Sequence, residues 1–235
     1  VRTLLIGGHV YSPSERFATA LLIEDSVVTW IGADTGAEVH RQDVDDVVDL
    51  HGDLVAPGFV HLANPDPSVE QGFIHGERAE IRVADRWVTE AWERAARETL
   101  AVVPRDPCRL RSRIAAGVPT ALVPGHLSPG GWQTVRAAVH EVDPHEALSA
   151  RAAFSALTRG AWRLLGHPDR GVLEVGATAT FLQWEVSDLV VETPDERITN
   201  WSTDPRAATP GLPPLEDEQT LPTVRRVWRD GRPDR

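Results

Sequence analysis

Cys108 is the only thiol in the chain, set between Pro107 and Arg109 at the start of a predicted helix, a place where a thiolate would be stabilised. Taken alone it reads as a semi-buried side chain. A single cysteine also rules out an intrachain disulfide and a cysteine-built zinc site. Nucleophilic serine chemistry asks for a Gly-x-Ser-x-Gly turn, and no such run occurs. All 24 basic residues are Arg. Without Lys there is no Schiff-base amine, no phosphate-loop lysine and no carboxylated-lysine bridge between metals. Gly7-Gly8 lies between two predicted strands rather than ahead of a helix, so it is expected to turn a hairpin and not to cradle phosphate. The eight Trp are spread over strands and helices with no basic groove beside them, which makes them core contacts rather than a base-stacking surface.

The elements that position these groups must be those of an ordinary folded protein. The chain has 235 residues, 41% of them apolar and 25% charged, enough for one good-sized domain or two small ones. The net charge of -11 excludes non-specific partnership with nucleic acid or an anionic membrane, both of which ask for a positive face. No apolar run approaches the roughly 18–20 residues of a membrane span. The opening Val1-Arg2-Thr3-Leu4-Leu5-Ile6-Gly7-Gly8 enters turn chemistry too soon for a signal peptide, and with one cysteine the expected compartment is the cytoplasm.

Within residues 1 to 60, short β-branched and aliphatic runs alternate with turn signals. The runs are 3–6, 9–11, 19–23, 27–31, 47–50 and 54–55, and the turns are Gly7-Gly8, Glu24-Asp25-Ser26 and Gly52-Asp53. A small antiparallel sheet layer is expected. Residues 66 to 77 are polar and read as irregular. From Arg78 the period becomes helical, with Ile81, Ala84, Val88, Ala91, Ala95 and Leu100 on one face to about Val103, where Pro104 and Pro107 stop it. A shorter helix over 110–116 should end at Gly117, a buried strand should follow at 120–123, and Trp132, Val135, Ala138 and Val139 mark a further helix.

Ser149 is a good N-cap, with Leu148 as the apolar staple ahead of it, for a helix that Gly160 interrupts before 161–165. After Gly166 period two returns at 172–175, 179–186, 189–191, 198–201 and 224–228. Arg225, Arg226 and Arg229 are expected on the wet side of the last strand. The proline-rich stretch 203–222 reads as an extended surface connection.

Two stretches resemble a known family. The run Val48-Asp49-Leu50-His51-Gly52-Asp53-Leu54-Val55-Ala56-Pro57-Gly58-Phe59-Val60 is similar to the segment by which amidohydrolase-superfamily enzymes leave a small β-sandwich and enter the first barrel strand. Residues 148–162 look like the helix after their last barrel strand, and Gly171-Val172-Leu173-Glu174-Val175-Gly176-Ala177-Thr178-Ala179-Thr180 resembles the re-entry, usually G-x-L-x-x-G-x-x-A-D. The branch it is most similar to is family 3, related to N-substituted formamide deformylases. The resemblance implies a (β/α)8 barrel carrying divalent metal, whose bound water attacks a non-peptide C–N bond while an Asp moves the proton.

Three departures stand against that inventory. After Val60 the family continues Asp-Ala-His-x-His, two imidazoles on one strand face, whereas this chain reads His61-Leu62-Ala63-Asn64-Pro65, with Ala63 and Pro65 in their register. The last strand implies Gly-Ser-Asp, but residues 121–129 hold no carboxylate, and His126 is the group there that could ligate or shuttle. Finally, only 87 positions separate Val60 from Leu148, about three βα units at roughly 30 residues each, where eight strands are needed. Gly72-Phe73-Ile74-His75-Gly76-Glu77-Arg78-Ala79 is similar to a shortened mid-barrel G-F-H-x-x-G-D-x-A, which makes His75 the best-placed surviving ligand.

The expected architecture is therefore α/β. A composite β-sandwich is formed by the N- and C-terminal segments, residues 1–60 and 166–235, flanking a truncated, mainly helical (β/α) barrel remnant over 61–165. The expected function is that of an amidohydrolase-like protein related to metal-dependent hydrolases of non-peptide C–N bonds, with catalysis impaired or lost. No catalytic residue is assigned and no cofactor is expected. The alternatives are a non-catalytic binding or assembly module, an internally deleted relic, and a working hydrolase rebuilt from His61, Asp66, His75, Glu77 and His126 around one zinc or another divalent metal. Expected partners are a small-molecule ligand and further copies of the chain, because an unclosed barrel leaves strand edges and apolar faces uncovered.

Overall fold

The computed structural model describes residues 1–60, 73–74, 100–102, 110–117, 120–122, 130–140, 143–164, 167–190 and 211–234. The first strands, β1 (Arg2–Ile6), β3 (Ala20–Glu24), β4 (Val27–Gly32) and β5 (Asp46–Asp49), form a four-stranded sheet ordered β4-β3-β1-β5. Leu4 and Leu5, adjacent in β1 and so on opposite faces, are both fully buried. Each face is covered, which is why β1 and β3 read as continuous apolar runs rather than alternating ones. One face packs Leu4, Ala20 and Leu22 against Ala37 of a short helix α1 (Asp34–Ala37), with Trp30 and Val44 at its margin.

The other face meets a five-stranded sheet built from both ends of the chain. Its order is β13-β12-β11-β6-β2: β2 (His9–Val10) and β6 (Leu54–Ala56) from the start, β11 (Phe181–Glu185), β12 (Thr223–Arg229) and β13 (Arg232–Pro233) from the end. β11 pairs antiparallel with both β6 and β12. Leu5, Leu21, Ile23, Val28 and Ile31 of the first sheet share one core with Val10, Val55, Phe181 and Trp228 of the second.

The far face of the five-stranded sheet carries the middle of the chain. There β7 (Phe59–Val60) pairs with β8 (Phe73–Ile74), and β9 (Leu100–Val102) with β10 (Thr120–Leu122), each pair parallel. Three helices accompany them: α2 (Leu110–Ala115), α3 (Gly131–Val139) and α4 (Ala150–Ser155). Ser149 caps α4 by accepting from the Ala152 amide at 3.2 Å, and Leu148 is buried just ahead of it, as the staple requires. The chain then widens into a π-helical turn, Ala156–Gly160, before α5 (Ala161–Leu164). This turn packs on both β7 and β10. Among the described residues no helix is long and apolar enough to cross a membrane.

Several expectations are corrected. The N-terminal layer is not purely antiparallel: β5 lies parallel to β1 and β2 parallel to β6, and the six runs divide between two sheets. Gly7-Gly8 is accordingly not a hairpin but the crossing from one sheet to the other, so tight that a Cβ on Gly8 would stand 2.6 Å from Leu50 and 2.8 Å from the Asp53 carbonyl. Leu100–Val102 is a strand rather than the end of a helix, because a partner in β10 outweighs the local period; the body of that expected helix, 78–99, lies outside the described residues. Phe73–Ile74 places a strand inside a stretch read as irregular.

Residues 172–175 are no strand. The chain turns there onto the edge of β4, with the Gly176 amide on Val28 O and the Val28 amide on Ala177 O. In the proline-rich stretch, Leu212 and Leu215 are buried in the helical core rather than exposed, and Arg136 and His140 of the α3 end hold the carbonyls of Glu216 and Leu215 at 3.0 and 3.1 Å. The expected strand 198–201 lies outside the described residues.

Gly160 supplies a test. In an open helix Gly→Ala stabilises by about 1 kcal/mol. Here the added Cβ would lie 2.6 Å from the Thr120 backbone carbonyl, and backbone yields poorly. Gly160→Ala is expected to destabilise by about 1–3 kcal/mol, read as a lower urea midpoint; a raised midpoint would contradict the contact between turn and strand.

Candidate functional site

In α/β folds reactive groups gather where parallel strands end and their loops begin. Two such strands finish side by side here: Phe59 stands opposite Phe73 and Val60 opposite Ile74. In sequence β7 ends immediately ahead of His61, β8 immediately ahead of His75, and β10 four residues ahead of His126. His61, His75 and His126 lie outside the described residues, as do Asp66, Glu77 and Cys108. Among the described residues no three His, Cys, Asp or Glu side chains come together as a set able to hold a metal ion.

What the structure does show is how the strand end is anchored. Phe59 is fully buried in a knot of rings, with centroids 5.1 Å from Trp132 and 5.5 Å from both Phe154 and Trp184. Trp132 stacks on Phe154 at 5.4 Å, and Tyr11 meets Phe154 edge-on at 4.9 Å. The knot joins β7 to α3, α4 and the five-stranded sheet at one point. Edge-to-face pairs of this kind add about 0.5–1.5 kcal/mol each beyond burial. The indole N–H groups of Trp132 and Trp184 are buried without a partner among the described residues, a desolvation cost that the ring packing has to offset.

A second cluster, unforeseen from sequence, lies between the two sheets. Asp53 and Gln183 are 3% and 2% exposed. Gln183 Nε2 donates to Asp53 Oδ2 at 2.7 Å, and Arg225 Nε reaches the same oxygen at 2.6 Å while its Nη2 extends to Glu185 at 3.3 Å. The register of β11 against β12 shifts between Gln183 and Trp184, so that Arg226 faces Gln183, Val224 faces Trp184, and Arg225 is the extra residue. A bulge re-aims the side chain it carries, and this one lets an Arg that stays on the wet side, as expected, also reach a buried carboxylate. The signal in the sequence was a lone Gln inside the apolar run Phe181-Leu182-Gln183-Trp184. Gln183 Oε1 is buried and has no partner among the described residues.

At the rim of the aromatic knot, burial pushes the Tyr11 phenol up to about 12, against the opposing pull of the Arg151 guanidinium and its hydrogen bond. A phenol held neutral to that extent is a packing group and not an acid poised near neutrality.

The family model described as the amidohydrolase family matches residues 89–233. No curated protein matches the chain. Among solved structures it is similar to E. coli guanine deaminase at 13% identity and a TM-score of 0.60, over 100% of this chain and 99% of that one. It is also similar to atrazine chlorohydrolase from Arthrobacter aurescens complexed with zinc, at 12% and 0.52 over 98% and 94%. Enamidase, described as a member of the amidohydrolase superfamily, is similar at 11% and 0.50 over 99% and 95%. At these identities the likeness is one of fold.

The two clusters make separate predictions. Arg225→Ala takes a half-exposed counter-ion from a buried carboxylate that keeps the Gln183 amide, and is expected to cost about 1–2 kcal/mol by urea unfolding. In the Asp53→Ala/Arg225→Ala pair the loss should fall short of the sum of the single variants by about 1 kcal/mol or more, whereas strict additivity would mean the pair is not coupled. Tyr11 is the sole tyrosine, so phenolate absorbance reads it alone. Its folded pKa lies above the ordinary 10.0, so the unfolded chain loses its proton first. Stability is therefore whole below about pH 10 and falls as pH rises towards 12. A spectrophotometric midpoint near 10 in the folded protein would contradict the burial.

Proposed function

The chain belongs to the amidohydrolase family, and we propose that it is a member in which metal-dependent hydrolysis of non-peptide C–N bonds is impaired or lost, leaving a small-molecule binding or assembly module. In this reading residues 1–60 and 166–235 make a composite β-sandwich and residues 61–165 are the remnant of a barrel. The observation that carries it is the state of the middle segment. Among the described residues it holds three strands, β8, β9 and β10, which with β7 make two separate parallel pairs, where a closed (β/α)8 ring has eight strands.

The chemistry of the family depends on that ring. A bound divalent metal supplies a water acidified to a pKa of about 7, and the ion needs ligands held at fixed strand ends. The replacement of the His-x-His imidazoles by Ala63 and Pro65, and the absence of a carboxylate over 121–129, support the same conclusion. The 87 positions between Val60 and Leu148 supply too little chain for the remaining strands.

One observation favours a second reading. Val60 and Ile74 are register partners in a parallel pair, and in sequence they are followed by His61 and His75. Together with Asp66, Glu77 and His126 these two His could rebuild a site for a single zinc.

Native mass and metal content measured on one zinc-equilibrated sample separate these readings. The expected result is well below one zinc per chain, a melting temperature unchanged by chelator, and no hydrolysis of formamides. One zinc per chain, lost in the His61→Ala/His75→Ala variant, would establish the second reading instead. Aggregation without a cooperative thermal transition would point to an internally deleted relic.

A further inference from the structure

We draw no further inference here: the strongest candidate, the Asp53–Gln183–Arg225 cluster between the two sheets, belongs to the sheet packing already described, and Gln183 Oε1, which has no partner among the described residues, does not point to any class of ligand.

Discussion

The pairing of β11 with β6 holds this molecule together. Phe181–Glu185 lies antiparallel to Leu54–Ala56, with Leu182 opposite Ala56 and Trp184 opposite Leu54, joining pieces of chain more than a hundred residues apart. Closing a loop of that length costs on the order of 4 kcal/mol in its length-dependent part. The return comes from burial on both faces of one strand. Phe181 enters the core between the sheets, Leu182 and Trp184 enter the helical core, and each such side chain contributes about 1.5–3 kcal/mol. The Asp53–Arg225 pair and the Gln183 amide add direction to that burial. A one-residue slip of β11 would send Gln183 to the helical face and Trp184 against Asp53.

From this sheet the rest of the middle segment takes its place. Leu54, Ala56, Leu182 and Trp184 present an apolar floor, and Phe59, only a few residues beyond β6, drops a ring onto it. Trp132 of α3 and Phe154 of α4 close over that ring. The π-helical turn then brings Gly160 against the Thr120 carbonyl, so that β7 and β10 are tied through a helix rather than through strand-to-strand hydrogen bonds. Ring packing and one helical turn join the two described pairs to each other and to the five-stranded sheet.

Much of the architecture was legible beforehand where local rules act. The Ser149 cap, the stop at Gly117, the short strand at Thr120 and the helix carrying Trp132 and Val135 all rest on residues within a few positions of one another, and all appear. Partner choice was not legible. Alternation identifies a strand but not its neighbour, so a layer read as antiparallel contains the parallel pairs β1–β5 and β2–β6. Likewise Leu100 fits a helical period but sits in a strand, and the prolines of the last connection did not reveal that Leu212 and Leu215 would be core residues.

By itself the sequence determined what chemistry is closed to this protein and which family it comes from. Residue types settle the first: a chain with no Lys and one Cys cannot make an imine at a lysine or a disulfide within itself, whatever its fold. The entry run ending Pro57-Gly58-Phe59-Val60 and the helix after Leu148 carried the second. Only the tertiary structure decided where Arg225 goes. It stays largely in water, as alternation along the strand has it, but a register shift seen only when β12 meets β11 also brings its Nε onto Asp53. The physical reason is range. Capping, turn and steric preferences act between near neighbours and can be read along the chain, whereas a buried charge is placed by the partner that neutralises it, here 172 residues away.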